Sequence, residues 1–416
     1  MSITCCDTLA TYEETPILIT VDITEVSVEY VARKRLGSSG LGGTGSEALQ
    51  GWLLKCGDDS TRLRTIFGNL VDWLANGSSL WATYCAFMTS RLIALDKQPG
   101  VRPVDVGETW RFIFANILLK VTGPEETTKC QDDQLCARLK AGIVGAIHGV
   151  QALWDENLST EECIFLHVNT KNAFNEHTKV GMLRTMRHLW TSGAHFVFNC
   201  YRHWSSLVLW NGNGTASILH SKEGIAYGMG ILPLIKNIKR AIPDVTQPWY
   251  ADNAGALGTF ARIITYFDFL TRQNPGRGYH PEPTKSVLIV RLDNLEAGKV
   301  FGERLGFRVC TGACDLGSYI GEYESKRDWL RQRTLTWENN INKISKTASK
   351  YPQESYATVL RAIQSEWIFL QRGTWDTGDL FAGVEKMIRR TFLPRLFFGK
   401  TKNLSPVVGA LSWMPV

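Results

Sequence analysis

Apolar residues return every three or four positions along much of this chain. Leu49, Trp52 and Leu53, then Leu70, Trp73 and Leu74, predict helices across residues 47–90. Shorter runs break that rhythm. Residues 91–94 and 101–106 predict two strands joined by the turn Lys97-Gln98-Pro99-Gly100. Helical spacing resumes over 108–120 and 134–154, with a loop expected between them at Gly123-Pro124. Residues 163–168 form a short apolar run, which predicts a buried strand. A helix over 178–190 follows, with Val180, Leu183 and Met186 on one face. The clearest hairpin spans 206–219 around Asn211-Gly212-Asn213-Gly214. A helix over 225–240 ends before Pro243. Pro248, Trp249 and Tyr250 end a strand, and Asp252-Asn253 tolerates the left-handed conformation of a tight turn. Residues 259–270 are helical in pattern, 286–290 form a buried strand, and 307–310 and 319–320 are further strands. From Lys326 onward the pattern is helical. The predicted fold class is α+β.

The first 35 residues are β-rich in composition, and GSSGLGGTGSE after them has the composition of a flexible linker. Gly40 and Gly45 have the spacing of a phosphate-binding loop. Ser46 and Glu47 stand where that loop needs Lys and Ser/Thr, which removes its cation and excludes it. With 416 residues the chain can hold two or three domains. The net charge of +6 is unevenly spread. Residues 325–416 carry 15 Lys and Arg against 7 Asp and Glu, so a basic C-terminal segment follows a near-neutral body. That distribution suits a polyanionic partner or a solvated basic face. Ten cysteines are scattered without zinc-ligand spacing, as expected of reduced intracellular thiols. The N-terminus lacks the pattern of a signal peptide, and no apolar run is long enough to span a membrane. The expected location is therefore intracellular, nuclear or cytoplasmic.

Two places have candidate chemistry. Asp252, on a tight turn, could offer its carboxylate to a metal, or could be a plain solvated turn residue. Lys97 and Arg102, on a rigid hairpin, could grip phosphates or decorate an ordinary surface.

The order of these pieces carries more than each alone. KQPGVRPV comes first, then a strand ending in NTKNAFN, then the hairpin, a helix and YADN, and last GYHPEPTKSVLIV and LGSYIG. This succession, over roughly residues 85–322, resembles the reverse transcriptase domain of eukaryotic non-long-terminal-repeat retrotransposons. The resemblance implies a right-hand polymerase fold. Fingers would cover about 47–160, a palm about 161–322 (a sheet with helices on one face) and a basic helical thumb 323–416. It also implies RNA-directed DNA polymerase activity, with a template–primer duplex of RNA or DNA and a dNTP as partners. Its cofactor would be two Mg2+ ions about 3.5–4 Å apart. The resemblance places the catalytic carboxylates at Asn169, Asp252 and Asn253, with Asn169 and Asp252 as metal ligands. Phe174 would exclude a ribose 2′-hydroxyl, and Lys97 and Arg102 would hold the triphosphate. Lys285 would protonate the pyrophosphate, and Leu316-Gly317 would form the primer-grip turn.

The departures bear on activity. Asn169 and Asn253 put amides where the family has carboxylates, and an amide brings no negative charge to a divalent cation. Loss of one electrostatic stabiliser typically costs about 10²–10³ in rate. The family's Q-G-x-P-L segment is missing, since Ser221-Lys222-Glu223-Gly224 runs straight into Ile225-Ala226-Tyr227-Gly228. The chain also stops abruptly at Val416, as if truncated. Together these predict a degenerate element copy with impaired or absent catalysis. The alternatives are a non-catalytic nucleic-acid-binding protein and an unrelated α+β protein. The last requires Asp252 and Asn169 to lie far apart.

Overall fold

A computed structural model describes residues 15–34, 37–77, 80–97, 100–136, 142–157, 163–171, 173–222, 228–273 and 278–398. The chain begins with helices α1 (Glu25–Ala32), α2 (Ser46–Leu54), α3 (Asp58–Asn76) and α4 (Trp81–Met88). Two strands follow, β1 (Ser90–Asp96) and β2 (Val101–Val106), then α5 (Thr109–Cys130) and α6 (Gly142–Glu156). The central stretch holds β3 (Cys163–Val168), the single turn α7 (Ala173–Glu176), α8 (Lys179–Leu189), α9 (Thr191–Tyr201), β4 (Ser205–Trp210) and β5 (Ala216–Ser221). Next come α10 (Leu232–Ala241), β6 (Trp249–Tyr250), β7 (Asn253–Thr259), α11 (Phe260–Gln273), β8 (Val287–Ile289), α12 (Leu295–Leu305) and β9 (Arg308–Cys310). The hairpin β10 (Gly312–Asp315) and β11 (Ser318–Gly321) precedes α13 (Tyr323–Ser345), α14 (Pro352–Thr358), α15 (Ser365–Gly373), α16 (Ala382–Met387) and α17 (Leu393–Phe398). The architecture is mixed, with helices around two separate sheets and a small hairpin.

The five-stranded sheet runs β6-β7-β3-β8-β9. β3 is its centre, antiparallel to both β7 and β8. Alternation sends Ile164, Leu166 and Val168 to one face, where they pack with Ile235 and Ile238 of α10 and Ile263 and Tyr266 of α11. Phe165 lies on the other face with Leu257 and Ile289, against Ile147, Val150 and Trp154 of α6 and Ala313 and Ile320 of the hairpin. The sheet is therefore covered on both faces, not on one. The apolar residues of β3 need both, because only His167 interrupts the run CIFLHV.

The second sheet runs β2-β1-β4-β5. It joins the two predicted hairpins side by side through a parallel pairing, Ser90 with Leu207 and Arg91 with Val208. Helices α1 to α5 form an apolar layer of their own with α9. The C-terminal helices bury Leu330, Trp337, Ile341, Val359 and Phe381 among themselves.

Four expectations fail for identifiable reasons. The β-rich composition near the N-terminus yields helix α1, whose first turn is capped by the Thr24 side chain. The Gly-rich segment is docked rather than free. Gly42 N–H donates to Glu108 at 2.7 Å, Thr109 donates to the Thr44 carbonyl at 2.8 Å, and Arg91 reaches the Ser39 carbonyl. No loop forms at Gly123-Pro124, because Pro124 sits inside α5. An interior proline costs roughly 3 kcal/mol. The buried face of α5 continues across it, from Ile117 and Leu118 to Thr122, Glu126 and Cys130, and packing sustains the helix. The helix predicted over 225–240 starts only at Leu232, because Pro233 is suited to the first turn of a helix and not to its interior.

Candidate nucleotidyl-transfer site

The β3–β7 register fixes the geometry of the site. Val168 pairs with Ala254, so the next position on each strand sets Asn169 opposite Asn253 at the end of the sheet. Asp252 immediately precedes Asn253 in the β6–β7 turn. The register therefore sets Asp252 and Asn169 at the same end of the sheet, where the unrelated-protein alternative expected them far apart.

The turn differs from expectation by one residue. Tyr250 pairs with Asn253, so its tip is Ala251-Asp252 and not Asp252-Asn253. Ala251, rather than an Asp or Asn, takes the left-handed conformation, with φ +52°. That conformation costs a residue with a Cβ about 1–2 kcal/mol. Tertiary contacts supply the compensation. The fully buried Gln134 side chain accepts from Ala251 N–H at 2.8 Å and donates to its carbonyl at 3.1 Å. The buried Tyr279 hydroxyl donates to the Asp252 carbonyl at 3.1 Å. Burial pushes the Asp252 carboxyl above its usual range, partly offset by a backbone hydrogen bond and by nearby His167.

Asn169 is held by its backbone. Its N–H lies 3.2 Å from Ser286 Oγ, and its carbonyl accepts from Glu282 N–H at 2.8 Å. Lys285 is exposed on the same segment, with Nζ 3.2 Å from Glu282 Oε2. The Lys285 ammonium holds the Glu282 carboxyl below its usual range.

Leu316 and Gly317 form the two-residue turn of the β10–β11 hairpin, with φ of +49° and +84°. Two left-handed residues are what a tight hairpin of that kind requires. Leu316 lines a small pocket with His167, Tyr250, Asn253 and Asp315. His167 Nδ1 lies 2.9 Å from the buried Asp315 carboxylate, close but outside hydrogen-bond alignment. Gly255 stands where a Cβ would meet Pro248 at 2.7 Å and Phe165 at 3.0 Å, so only glycine lets these pack.

Lys97 and Arg102 are both exposed on the β1–β2 hairpin, on the other sheet. Leu95 pairs with Arg102, and Lys97 N–H donates to the Gly100 carbonyl at 3.1 Å. Among the described residues no carboxylate forms an ion pair with either. Phe174 falls within α7, but its side chain lies outside the described residues. So does most of the segment of the missing loop, 223–227.

The structure thus brings Asn169, Asp252, Asn253, Lys285 and Leu316-Gly317 to one end of the sheet, and leaves Lys97 and Arg102 on the other sheet. The donor set does not fit two Mg2+ ions. It offers one carboxylate and two amides, and among the described residues no three His, Cys, Asp or Glu side chains form a metal-binding group. Sequence reading missed Gln134 and Tyr279. Gln134 lies in none of the motifs, Tyr279 lies in GYHPEPTKSVLIV but was given no role there, and only the fold shows where their polar atoms go.

No protein-family profile matches this chain, and no curated protein matches it. Among solved structures, an apo telomerase from Candida tropicalis, truncated from its C-terminal domain, is similar with a TM-score of 0.42 and 10% identity. The similarity covers 57% of this chain and 54% of that one, so this chain spans about half of that protein's length. The function is therefore read from this chain's own residues.

Proposed function

We propose that this chain is a reverse transcriptase-type nucleotidyl-transfer domain by descent, which binds a template–primer duplex and is impaired in the transfer step. The observation that carries this reading is the β3–β7 register, in which Val168 pairs with Ala254 and the flanking Asn169 and Asn253 come to the same sheet end beside the Asp252 turn. It sets three positions of the resembled site at one sheet end from segments more than eighty residues apart. Fingers over 47–160, a palm over 161–322 and a thumb over 323–416 accommodate the arrangement. The two amides are the origin of the impairment, because they remove the negative charge on which divalent cation binding depends. Asp252 alone retains a carboxylate, and Lys285 stands near Asn169 as a proton donor.

Binding without catalysis is the second reading, and one observation favours it. Lys343, Lys346, Lys350, Arg361, Lys386 and Arg390 are exposed on the C-terminal helices and the turns and helical segments that join them, as Lys97 and Arg102 are on the hairpin. Cations so placed can neutralise backbone phosphates. The two readings separate in one experiment. Duplex binding is followed by fluorescence anisotropy across a salt series, and primer extension is assayed in parallel for wild type and for Asn169→Asp with Asn253→Asp. Both readings expect affinity to fall steeply with salt. Only the first expects the double variant to extend a primer. Salt-independent or absent binding overturns both.

A further inference from the structure

We propose that Gln134 is the positioning residue of the 250–253 turn, with its side-chain amide setting the left-handed backbone that aims Asp252. The catalytic part of this inference rests on the reading of Asp252 as the surviving site carboxylate. The geometric part stands alone.

A primary amide offers an acceptor and donors on one planar group. Gln134 uses both against a single residue, accepting from Ala251 N–H and donating to Ala251 C=O. That is the pattern a neighbouring strand would make. Its backbone continues the pattern, because Leu135 N–H donates to the Trp249 carbonyl at 2.9 Å. The segment 134–135 therefore acts as a short extra edge on β6, although its partner lies more than a hundred residues away.

The clamp is itself fastened. Gln131, directly after α5, is a second non-glycine residue with positive φ, at +43°. Asp133 accepts from Lys239 of α10 at 2.8 Å, which ties the loop to the helix beneath the sheet. Two residues with side chains and positive φ therefore flank one buried amide. Such conformations persist only where surrounding structure over-determines them, and they gather at functional sites. With Gln134 fully buried, relaxing Ala251 would leave polar groups unpaired away from water. The turn's shape is thus set by the loop after α5 as much as by its own residues.

The test is amide-resolved hydrogen–deuterium exchange on the full chain. Gln134→Met keeps the side chain's length and removes both bonds, whereas Gln134→Glu keeps the acceptor and loses the donor. Each lost hydrogen bond is expected to speed exchange at Ala251 on the order of 10-fold. The Met variant should therefore exchange about 100-fold faster and the Glu variant about 10-fold faster, with Phe165 and Leu166 unchanged. Exchange at Ala251 at the wild-type rate in Gln134→Met overturns the proposal. If Gln134→Met loses protection throughout β3, the Glu variant decides by the same readout. A second arm adds Gln134→Met to the Asn169→Asp, Asn253→Asp background. There kcat should fall at least about 10-fold with little change in KM for the nucleotide, and an equal kcat overturns the catalytic part. If the background variant extends no primer, the functional reading fails, while the exchange result still decides whether Gln134 sets the turn.

Discussion

β3 is buried along nearly its whole length, whereas no strand of the four-stranded sheet enters any apolar cluster among the described residues. The strands of the four-stranded sheet are six or seven residues long, whereas β6, β8 and β9 of the five-stranded sheet have only two or three, so strand length does not explain the burial. The sheets differ in what covers them. The five-stranded sheet lies between α10 and α11 on one face and α6 with the hairpin on the other, and side chains from other segments hold the backbone of its candidate-site positions. The four-stranded sheet leaves Leu95, Val101, Trp210 and Ile218 about half exposed or more, and its cations Lys97 and Arg102 face solvent. Geometry is fixed where chemistry would need it, and charge is left accessible where a polyanion would approach.

The largest expected effect separates the sheets directly. Trp249 is fully buried and Trp210 is 60% exposed. Trp249→Ala should cost about 3–5 kcal/mol of stability. Trp210→Ala should stay within about 0.5 kcal/mol. Urea denaturation of both variants checks this, and equal costs would abolish the contrast. Next in size is Gly255→Ala, where the added Cβ meets Pro248 and Phe165. Overpacking of this kind costs about 1–3 kcal/mol and should disturb the pocket beside Leu316. The same denaturation series measures it.

A smaller effect concerns the helical layer beside the open sheet. Glu125 of α5 accepts from Thr191 N–H at 2.9 Å and Ser192 N–H at 3.1 Å, and from both hydroxyls, capping α9. Burial alone would raise its pKa, but the Ser192 and Thr191 hydrogen bonds leave it lowered. A carboxyl lowered on folding contributes stability that is complete above its unfolded pKa and is lost as pH falls through the folded value. Glu125→Gln should therefore cost about 1 kcal/mol at neutral pH, as lost caps do. The difference from wild type should shrink with acidification below the ordinary carboxylate range. Thermal midpoints at neutral and acidic pH show whether it does. The smallest stability effect belongs to Lys97→Ala and Arg102→Ala, within about 0.5 kcal/mol. Their consequence should appear in binding instead, where each lost phosphate contact lowers the salt slope by about 0.9.

Much of the fold was legible where one residue pattern meets one environment. The run CIFLHV, the NGNG hairpin and the helical spacing of Trp337 and Ile341 are decided by local periodicity, and the structure follows them. The misses share a cause. Pro124 stays within a helix because the buried face of α5 runs through it. The Gly-rich segment is ordered by Glu108 and Thr109, and EVSVEYVA becomes a helix against α3 and α5. The turn sits one residue early because Gln134 and Tyr279 impose it on Ala251, and nothing local to Ala251 announces a left-handed residue. The candidate site was readable at Asn169, Asp252, Asn253 and Lys285, whose order along the chain carries the resemblance. Gln134 and Tyr279, which hold the backbone of Ala251 and Asp252, were not, since they act through buried amide and hydroxyl groups contributed by other segments.

On the proposed function, a nucleotidyl-transfer site persists here with its carboxylates reduced to Asp252. Primer extension on an RNA template in magnesium tests it most directly, with wild type beside the Asn169→Asp, Asn253→Asp variant and that variant with Asp252→Ala. The account predicts no extension by wild type, extension by the double variant, and its loss when Asp252 is removed. Extension by wild type at the double variant's rate, or extension that survives removal of Asp252, would contradict it.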